Sequence, residues 1–235
     1  LMIYGSSNFI YNYSADTLAL GNVTVGGYFS SSTSNLLIHN IFENKGTSVF
    51  TQSANVLSLM SSGNLNVSKD LAVRQGVISG NTVVGDNIII LGGSSLSLNS
   101  GGNISAKNLY LISGNLNTYG GIDLSGNISI TQNTTLNQLS GSIDAMGLID
   151  ITAGTFKITD SSTDMNSANI NIYDGGVLDI NDSTSGNINI SSGNVTHRGG
   201  NLNLEALTLT GNYFNIGLAN ILIGAGNLTI LPGVE

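Results

Sequence analysis

Residues 100–130 read SGGNISAKNLYLISGNLNTYGGIDLSGNISI, and this stretch decides the fold of the 235-residue chain. Within it, Gly-Asn pairs lead into short segments in which apolar and polar residues alternate. Gly and Asn favour turns, and alternation with a period of two is typical of a strand that buries one side. The stretch therefore predicts turn-plus-strand units joined in series, with no helix longer than a turn.

The same unit recurs on both sides of this stretch, and short strand signals follow one another from about Val56 to Ile230. Further copies are SGNLNV at Ser62, SGNINI at Ser185, SGNVTH at Ser192 and GGNLNL at Gly199. One unit repeated along a chain indicates a repeat protein. With two or three strands per circuit, we expect a solenoid whose coils contain roughly 20 to 25 residues.

We predict an all-β fold, a parallel β-solenoid with Ile, Leu and Val inside and Asn, Ser, Thr and Asp outside. An antiparallel β-sandwich is the alternative, because it also has short strands separated by turns. The two-residue hairpin signals of such a sandwich are almost missing, Asp174-Gly175 being the one case. The pattern therefore favours the solenoid.

We expect residues 1–235 to form a single solenoid body in which residues 1–55 are the more aromatic terminal portion. This portion contains Phe9, Phe29, Phe42 and Phe50 together with several tyrosines. Two interpretations are open. The bulky side chains either close the end of the stack, as solenoids require, or widen the core at that place.

Composition excludes several classes of protein. The net charge is −8 with six Lys plus Arg, which argues against nucleic-acid binding because that requires a basic surface. No stretch approaches the roughly 18 apolar residues of a membrane-spanning helix. The chain has no cysteine, so disulfides and thiolate sites are excluded. Only 9% of its residues are charged, and its mean hydropathy is positive, so we expect it to fold.

The runs SGNLNVSKDLAV at Ser62 and GGNLNLEALTLTGN at Gly199, with the stretch quoted first, resemble the repeat regions of filamentous haemagglutinin and of autotransporter passenger proteins. The resemblance implies a right-handed parallel β-helix in a large bacterial surface adhesin, and hence an extracellular or cell-surface location. The Asn-Pro-Asn motifs of the haemagglutinin secretion domain are absent, since Pro232 is the sole proline. The resemblance is therefore one of repeat style.

Asn103, Asn115 and Asn127 follow glycine at intervals of twelve residues, and Asn187 follows glycine in a later copy. Stacked coils lie about 4.8 Å apart, which lets equivalent Asn amides hydrogen-bond along the stack. We predict turn positions and Asn ladders for these residues, with the first three at equivalent corners.

Acidic residues cluster between Asp144 and Asp182, and Asp150, Asp160 and Asp179 could stack on neighbouring coils. Parallel β-helices include polysaccharide lyases and hydrolases, which use such carboxylates. We favour outward structural positions, with a weak surface calcium site second and catalysis third. His39 and His197 lie in unrelated contexts. We expect no cofactor and no catalytic residue.

Two sets of surface residues are candidates for contact with sugars. Tyr110, Tyr119 and Tyr173 are the aromatic residues that we consider for glycan stacking. Asn22, Asn66, Asn133 and Asn194 lie in Asn-x-Ser/Thr sequences and are candidates for glycosylation.

The sequence supports three hypotheses of function. The first is a non-enzymatic extracellular stalk or adhesin segment that contacts glycans or proteins of a host or neighbouring cell. The second is a self-assembling sheath, surface-layer or filament subunit, since low charge removes repulsion between copies. The third is a carbohydrate-active β-helix enzyme or a tailspike.

Overall fold

The computed structural model is a right-handed parallel β-helix. It describes residues 1–12, 17–33, 35–91, 93–131 and 133–159, and after these the residues 164–172, 176–180, 184–190, 194–197, 201–209, 214–216, 220–223 and 228–230. From residue 164 onward, side chains are described for residues 176–179 alone. Among all these residues there are strands but no helices, and every strand pairing is parallel.

The strands follow in chain order: β1 (Met2–Ile3), β2 (Asn8–Tyr11), β3 (Thr17–Leu20), β4 (Val23–Val25), β5 (Tyr28–Ser31), β6 (Asn35–Asn44), β7 (Thr47–Phe50), β8 (Ser53–Ser61), β9 (Asn64–Val67), β10 (Leu71–Ile78), β11 (Asn81–Val84), β12 (Asn87–Ile90), β13 (Ser94–Leu98), β14 (Asn103–Ala106), β15 (Asn108–Leu111), β16 (Gly114–Thr118), β17 (Gly121–Leu124), β18 (Ile128–Ile130), β19 (Thr135–Gln138), β20 (Ser142–Ile151), β21 (Thr155–Ile158), β22 (Asp164–Ile172), β23 (Val177–Ile180), β24 (Thr184–Ile190), β25 (Asn194–His197), β26 (Asn201–Leu209), β27 (Phe214–Ile216), β28 (Asn220–Ile223) and β29 (Leu228–Ile230).

These strands stack into three faces, which we number in the order that the chain visits them. Face 1 begins with β1, face 2 with β2 and face 3 with β3, and each of these strands pairs with a strand one coil further on. Strands β6, β8 and β10 run from face 3 into face 1. Strands β20, β22, β24 and β26 run from face 2 into face 3. We call the bends between faces corner 1–2, corner 2–3 and corner 3–1.

The register gives the length of each coil. Leu71 pairs with Ala54, seventeen residues earlier, and Asn103 pairs with Asn81, twenty-two residues earlier. The longer coils overlap the expected range of 20 to 25 residues. The coils around β8 and β10 are shorter because these strands run through corner 3–1 without a separate turn, and their other corners contain two or three residues, such as Lys45-Gly46 between β6 and β7.

The core is a stack of inward side chains from all three faces, as the alternating pattern predicts. In β15, for example, Leu109 and Leu111 are at most 1% exposed, whereas Tyr110 between them points outward. The buried residues form one continuous cluster from Ile3 to Leu178. The hydrophobic effect of these aliphatic layers is the dominant stabilisation of the stack.

The aromatic residues of the first coils fill the core. Phe29, Phe42 and Phe50 are fully buried, and their ring centroids lie 5.5 to 6.4 Å apart. Phe9 joins them at 5.5 Å from Phe29. The four rings come from faces 1 and 2 of successive coils, so here they widen the core. Tyr4 lies outside and is 67% exposed.

Candidate functional surfaces

A hydrogen-bonded ladder of polar side chains runs along corner 2–3. Asn87 donates from its amide nitrogen to Asp70 Oδ1 at 2.7 Å, and Asn108 donates to Asn87 Oδ1 at 2.9 Å. The Asn127 backbone N–H then donates to Asn108 Oδ1 at 2.8 Å. Each side chain ties its own coil to the next, so the corner is held by side chains as well as by the sheet.

The ladder continues past Asn127, again with a backbone N–H group as the donor. The Leu148 N–H donates to Asn127 Oδ1 at 2.8 Å. The register next places Asn169 opposite Leu148 and Asn187 opposite Asn169. Asn187 therefore occupies the same corner as Asn127, while its side chain lies outside the described part of the chain.

The expectation that Asn103, Asn115 and Asn127 share one corner is wrong. Asn103 begins β14 on face 2, Asn115 lies in β16 on face 1, and Asn127 precedes β18 on face 3. Their spacing of twelve residues is shorter than a coil of about twenty, so each step moves to another part of the circuit.

Each of the three residues nevertheless bonds to a neighbouring coil at its own place. Asn103 donates to Asn81 Oδ1 at 3.2 Å, and Asn115 Oδ1 accepts from the Thr135 N–H at 3.0 Å. Face 1 carries a further ladder in which Asn137 donates to Asn117 Oδ1 at 3.3 Å. Thr159 extends it by donating to Asn137 Oδ1 at 3.1 Å. Asn ladders are therefore present at several positions around the coil.

A stack of glycines at corner 1–2 explains the Gly of the Ser-Gly-Asn copies at Ser62 and Ser79. A Cβ atom on Gly46 would lie 2.0 Å from the carbonyl oxygen of Gly27, and one on Gly63 would lie 2.0 Å from that of Gly46. These carbonyls accept hydrogen bonds from the next coil; the Asn64 N–H, for example, donates to the Gly46 carbonyl at 2.9 Å. Glycine is required here for close approach between coils. Positive φ angles occur at Gly141 of the same corner and at Gly114 of the Ser113 copy, and also outside these turns, as at Gly93 and Asn133.

Inward polar side chains at the same corner were not predicted from the sequence. Asn44 is fully buried and donates to Ser61 Oγ at 3.2 Å and to the Asn64 carbonyl at 3.0 Å, while Ser48 donates to Asn44 Oδ1 at 3.0 Å. Four and five coils after Asn44, Thr118 and Gln138 occupy the equivalent inward position and donate to the carbonyls of Gly120 and Gly141 at 3.0 Å. These residues satisfy turn carbonyls from inside the core.

The two described tyrosines of the set proposed for glycan stacking do not come together. Tyr110 lies on face 3, half-buried between Ile89 and Ser129 of the adjacent coils. Tyr119 lies at corner 1–2 and is 46% exposed. Tyr173 lies outside the described residues. Of the two described tyrosines, Tyr119 is therefore the more accessible.

The candidate glycosylation positions occupy different parts of the coil. Asn66 is exposed on the outer side of β9, and Asn133 is exposed in a corner 3–1 turn with a φ of 60°. Asn22 is exposed, but its Oδ1 accepts from the Ile41 N–H at 3.3 Å. Asn194 begins β25, and its side chain lies outside the described residues. Asn66 is the candidate whose side chain stands on an open strand surface.

The two described acidic residues of the set proposed to stack lie on different faces. Asp150 is on face 3 opposite Ser129, and Asp179 is on face 1 opposite Lys157. Asp160 lies outside the described residues. The carboxylates that do stack are Asp123 and Asp144, in register on face 2. Within the described residues, no group of three or more His, Cys, Asp and Glu side chains could hold a metal ion.

His39 and the one salt bridge found among the described residues lie on the surface. His39 is exposed at corner 3–1, whereas the backbone of His197 is in register with Ile180 on face 1 and its side chain lies outside the described part of the chain. Lys45 Nζ lies 2.7 Å from Glu43 Oε1. The hydrogen bond from Lys45 and its positive charge, with the Thr24 hydroxyl, hold the pKa of Glu43 below its ordinary value despite some desolvation. This pair is a local surface contact.

Comparisons with protein-family models, curated proteins and solved structures found no match for this chain. Among the residues that the structure describes, no helix is long and apolar enough to cross a membrane.

Proposed function

We propose that this chain is a non-enzymatic segment of an extracellular β-solenoid stalk or adhesin that attaches a cell to a surface. The observation that carries the proposal is the uninterrupted parallel stack, in which the three faces continue from β1 to β29 in one sheet. Such a stack is quasi-one-dimensional, because each coil contacts its neighbours along one axis. A stalk needs length along one axis, and a stack of this kind supplies it.

The mechanism is geometric. Each coil adds about 4.8 Å of length, the spacing of adjacent strands. Backbone hydrogen bonds run along the axis, and the corner 2–3 ladder through Asn87, Asn108 and Asn127 adds side-chain bonds in the same direction. Polar side chains that bond to the next coil stiffen the rod. The outer faces carry many Asn, Ser and Thr residues, with exposed apolar residues such as Val83 and Met146 among them, and they carry few charges, since 9% of residues are charged.

The partners that we propose are glycans or proteins on a host or neighbouring cell. Neutral sugars are recognised by amides, hydroxyls and aromatic rings, and the outer faces carry Asn, Ser and Thr with Tyr119 exposed at corner 1–2. The net charge of −8 makes nucleic acid an unsuitable partner. Location outside the cell and the absence of a cofactor are part of the same proposal.

Removal of one whole coil tests the rod. Deletion of residues 81–102 joins Gly80 to Asn103, which pairs with Asn81 in the intact chain, so the register is preserved. We expect small-angle X-ray scattering to show a folded rod shortened by about 4.8 Å. Deletion of residues 92–102 removes a partial coil and is the matched control, which we expect to lose cooperative unfolding. A compact particle, or equal tolerance of both deletions, would contradict the stalk.

Binding of the purified chain to a glycan array and to cultured cells tests adhesion. We expect retention on a glycan or cell surface, weakened by Tyr119→Ala and unchanged by Tyr4→Ala, which removes an even more exposed ring elsewhere. Absence of binding to all surfaces would argue against an adhesin. Release of shortened glycans, lost in Asp123→Asn with Asp144→Asn, would show that the protein is an enzyme instead.

A further inference from the structure

A surface cavity lies at corner 3–1, where strands β6, β8 and β10 run from face 3 into face 1. Its volume is about 210 Å³, below the roughly 300 to 1,000 Å³ of pockets that hold drug-sized ligands. The cavity therefore suits one small group, such as a single sugar ring. The residues that line it are Leu37, Ile38, His39, Asn55, Leu57 and Arg74.

The sheet register brings these residues together from three successive coils. Arg74 of β10 falls opposite Leu57 of β8, between pairs that are in register on either side. The register of β6 with β8 shifts at His39 and Asn40, so these two residues oppose Leu57 from the other side. A bulge of this kind re-aims side chains. The backbones of His39 and Arg74 are therefore two strand spacings apart, about 10 Å, with Leu57 between them.

The polar side chains of the cavity are available to a ligand. His39, Asn55 and Arg74 are exposed, and no hydrogen bond or salt bridge of their side chains is found within the described ranges. Leu57 is 39% exposed and forms an apolar surface between them. A guanidinium group without an internal partner presents a planar fork of N–H donors. The cavity thus combines donors, an amide and an apolar wall.

The charges of the first coils do not oppose an anionic ligand, although the whole chain carries −8. Residues 1–80 contain three acidic residues and three Lys or Arg, and the other eleven acidic residues lie later in the chain. Of these three, Glu43 is paired with Lys45, and Asp70 accepts from Asn87 at corner 2–3. The third, Asp16, lies outside the described residues. Neither described carboxylate neutralises Arg74.

A saccharide fits this cavity better than a peptide. Peptides that bind to sheets commonly add a strand to a free edge. Strands β6, β8 and β10 are each paired along both edges, so no strand edge is open beside the cavity. The hydroxyl groups of a sugar instead match the donors and acceptors of Asn55 and His39.

We propose that the corner 3–1 cavity binds a carboxylate-bearing sugar residue, such as a uronic acid, of a surface glycan. The guanidinium of Arg74 holds the carboxylate by two parallel N–H···O bonds. His39 and Asn55 bond to hydroxyls of the ring, and Leu57 packs against its C–H groups. The inference rests on the proposed glycan-binding function, but it specifies an acidic sugar and a site other than Tyr119.

Titration of the 235-residue chain with glucuronate, followed by two-dimensional NMR of the backbone amides, tests the site. We expect saturable shifts at residues 37–40, 55–58 and 72–75, and none with glucose, which has the same ring without the carboxylate. Arg74→Gln should weaken binding at least about tenfold, because it removes charge-assisted hydrogen bonds. Lys69→Gln is the matched control, since Lys69 is exposed in the same coil at corner 2–3, and should bind normally. Unchanged urea midpoints show that both variants are folded.

Several results would overturn the acidic-sugar site. They are the absence of glucuronate shifts at the cavity, an equal loss of affinity in Lys69→Gln, and equal affinity for a sulfate ester of glucose, which would mean that the cavity selects charge alone. Tighter binding of the tripeptide Gly-Gly-Leu would assign the cavity to peptides instead. If glucuronate fails while neutral glycans are retained and Tyr119→Ala weakens them, the proposed function stands without this site. Failure of all glycans and cell surfaces would contradict both.

Discussion

Asn44 in the first part of the solenoid and Asn108 in its middle show that one residue type has two roles. Asn44 points inward, is fully buried and bonds to Ser48, Ser61 and the Asn64 carbonyl. Asn108 points outward at corner 2–3 and bonds to the coils on either side. The first stabilises a turn from within the core, and the second ties coils together at the surface.

The cores of the two regions also differ, in the type of side chain that they contain. The core of the coils up to β8 includes the rings of Phe29, Phe42 and Phe50, whereas the core from β11 to β18 has no aromatic ring and consists mainly of Ile and Leu. The register remains parallel through both regions. The three-faced backbone therefore accommodates different core residues, so long as each inward side chain is packed or hydrogen-bonded.

The largest expected effect comes from Phe29→Ala. Phe29 contacts Phe9, Phe42 and Phe50, so its truncation leaves a cavity that these neighbouring rings cannot fill completely. We expect a loss of about 3 to 5 kcal/mol in unfolding free energy, measured by urea denaturation. Phe156→Ala is the control, since Phe156 is also fully buried but lies between Leu136 and Leu178. It should cost about 1 kcal/mol less, and equal costs would show that the ring contacts add nothing.

Asn44→Leu should have the next largest effect. It removes the partners of two serine hydroxyls and of the Asn64 carbonyl, all close to the core. Each buried group left without a partner costs about 1 to 3 kcal/mol, so we expect a total loss of about 3 kcal/mol. The measurement is again the midpoint of urea denaturation.

A combined variant separates lost hydrogen bonds from altered packing at Asn44. Apolar residues already occupy this inward position in later coils, as Ile78 and Leu98 do. Asn44→Leu with Ser48→Ala and Ser61→Ala leaves fewer unsatisfied groups and should recover more than half of the loss. No recovery would mean that shape, and not polarity, determines the residue at position 44.

Asn108→Ala should cost less, because its bonds lie at a half-buried corner. It breaks the bond to Asn87 and the one from the Asn127 N–H, and we expect a loss of about 1 kcal/mol. Asn66→Ala is the control, since Asn66 is exposed on the outer side of β9. Identical unfolding midpoints for the two variants would show that the ladder contributes no stability.

The sequence predicted the solenoid because alternation with a period of two and repeated Gly-Asn turns recur without interruption. It did not predict which corner each copy occupies. Ser62-Gly63-Asn64 lies at corner 1–2, Ser113-Gly114-Asn115 at corner 3–1 and Ser125-Gly126-Asn127 at corner 2–3. A local turn signal is the same at every corner, whereas position around the circuit depends on the summed lengths of strands and turns.

The inward polar residues could not be predicted for a related reason. Asn44 and Thr118 fall on the buried phase of their strands, but their neighbours in sequence resemble those of outward Asn and Thr residues. Their partners are turn carbonyls, whose direction depends on the corner geometry. The sequence does contain one indication of these inward residues. Asn44 and Thr118 each lie two residues before a corner glycine, Gly46 or Gly120.

The smallest effect is expected from Glu43→Gln, on the outer side of the aromatic region. Lys45 holds the pKa of Glu43 below its ordinary value, so the folded carboxylate contributes stability above the unfolded pKa and loses it as pH falls through the folded pKa. Because Lys45 is 62% exposed, solvent screens the pair. We expect the thermal midpoints of Glu43→Gln and of the unaltered chain to differ by less than 1 °C at pH 7 and to converge below pH 4. A large difference at pH 7 would mean that a surface charge pair stabilises this region as much as its buried rings do.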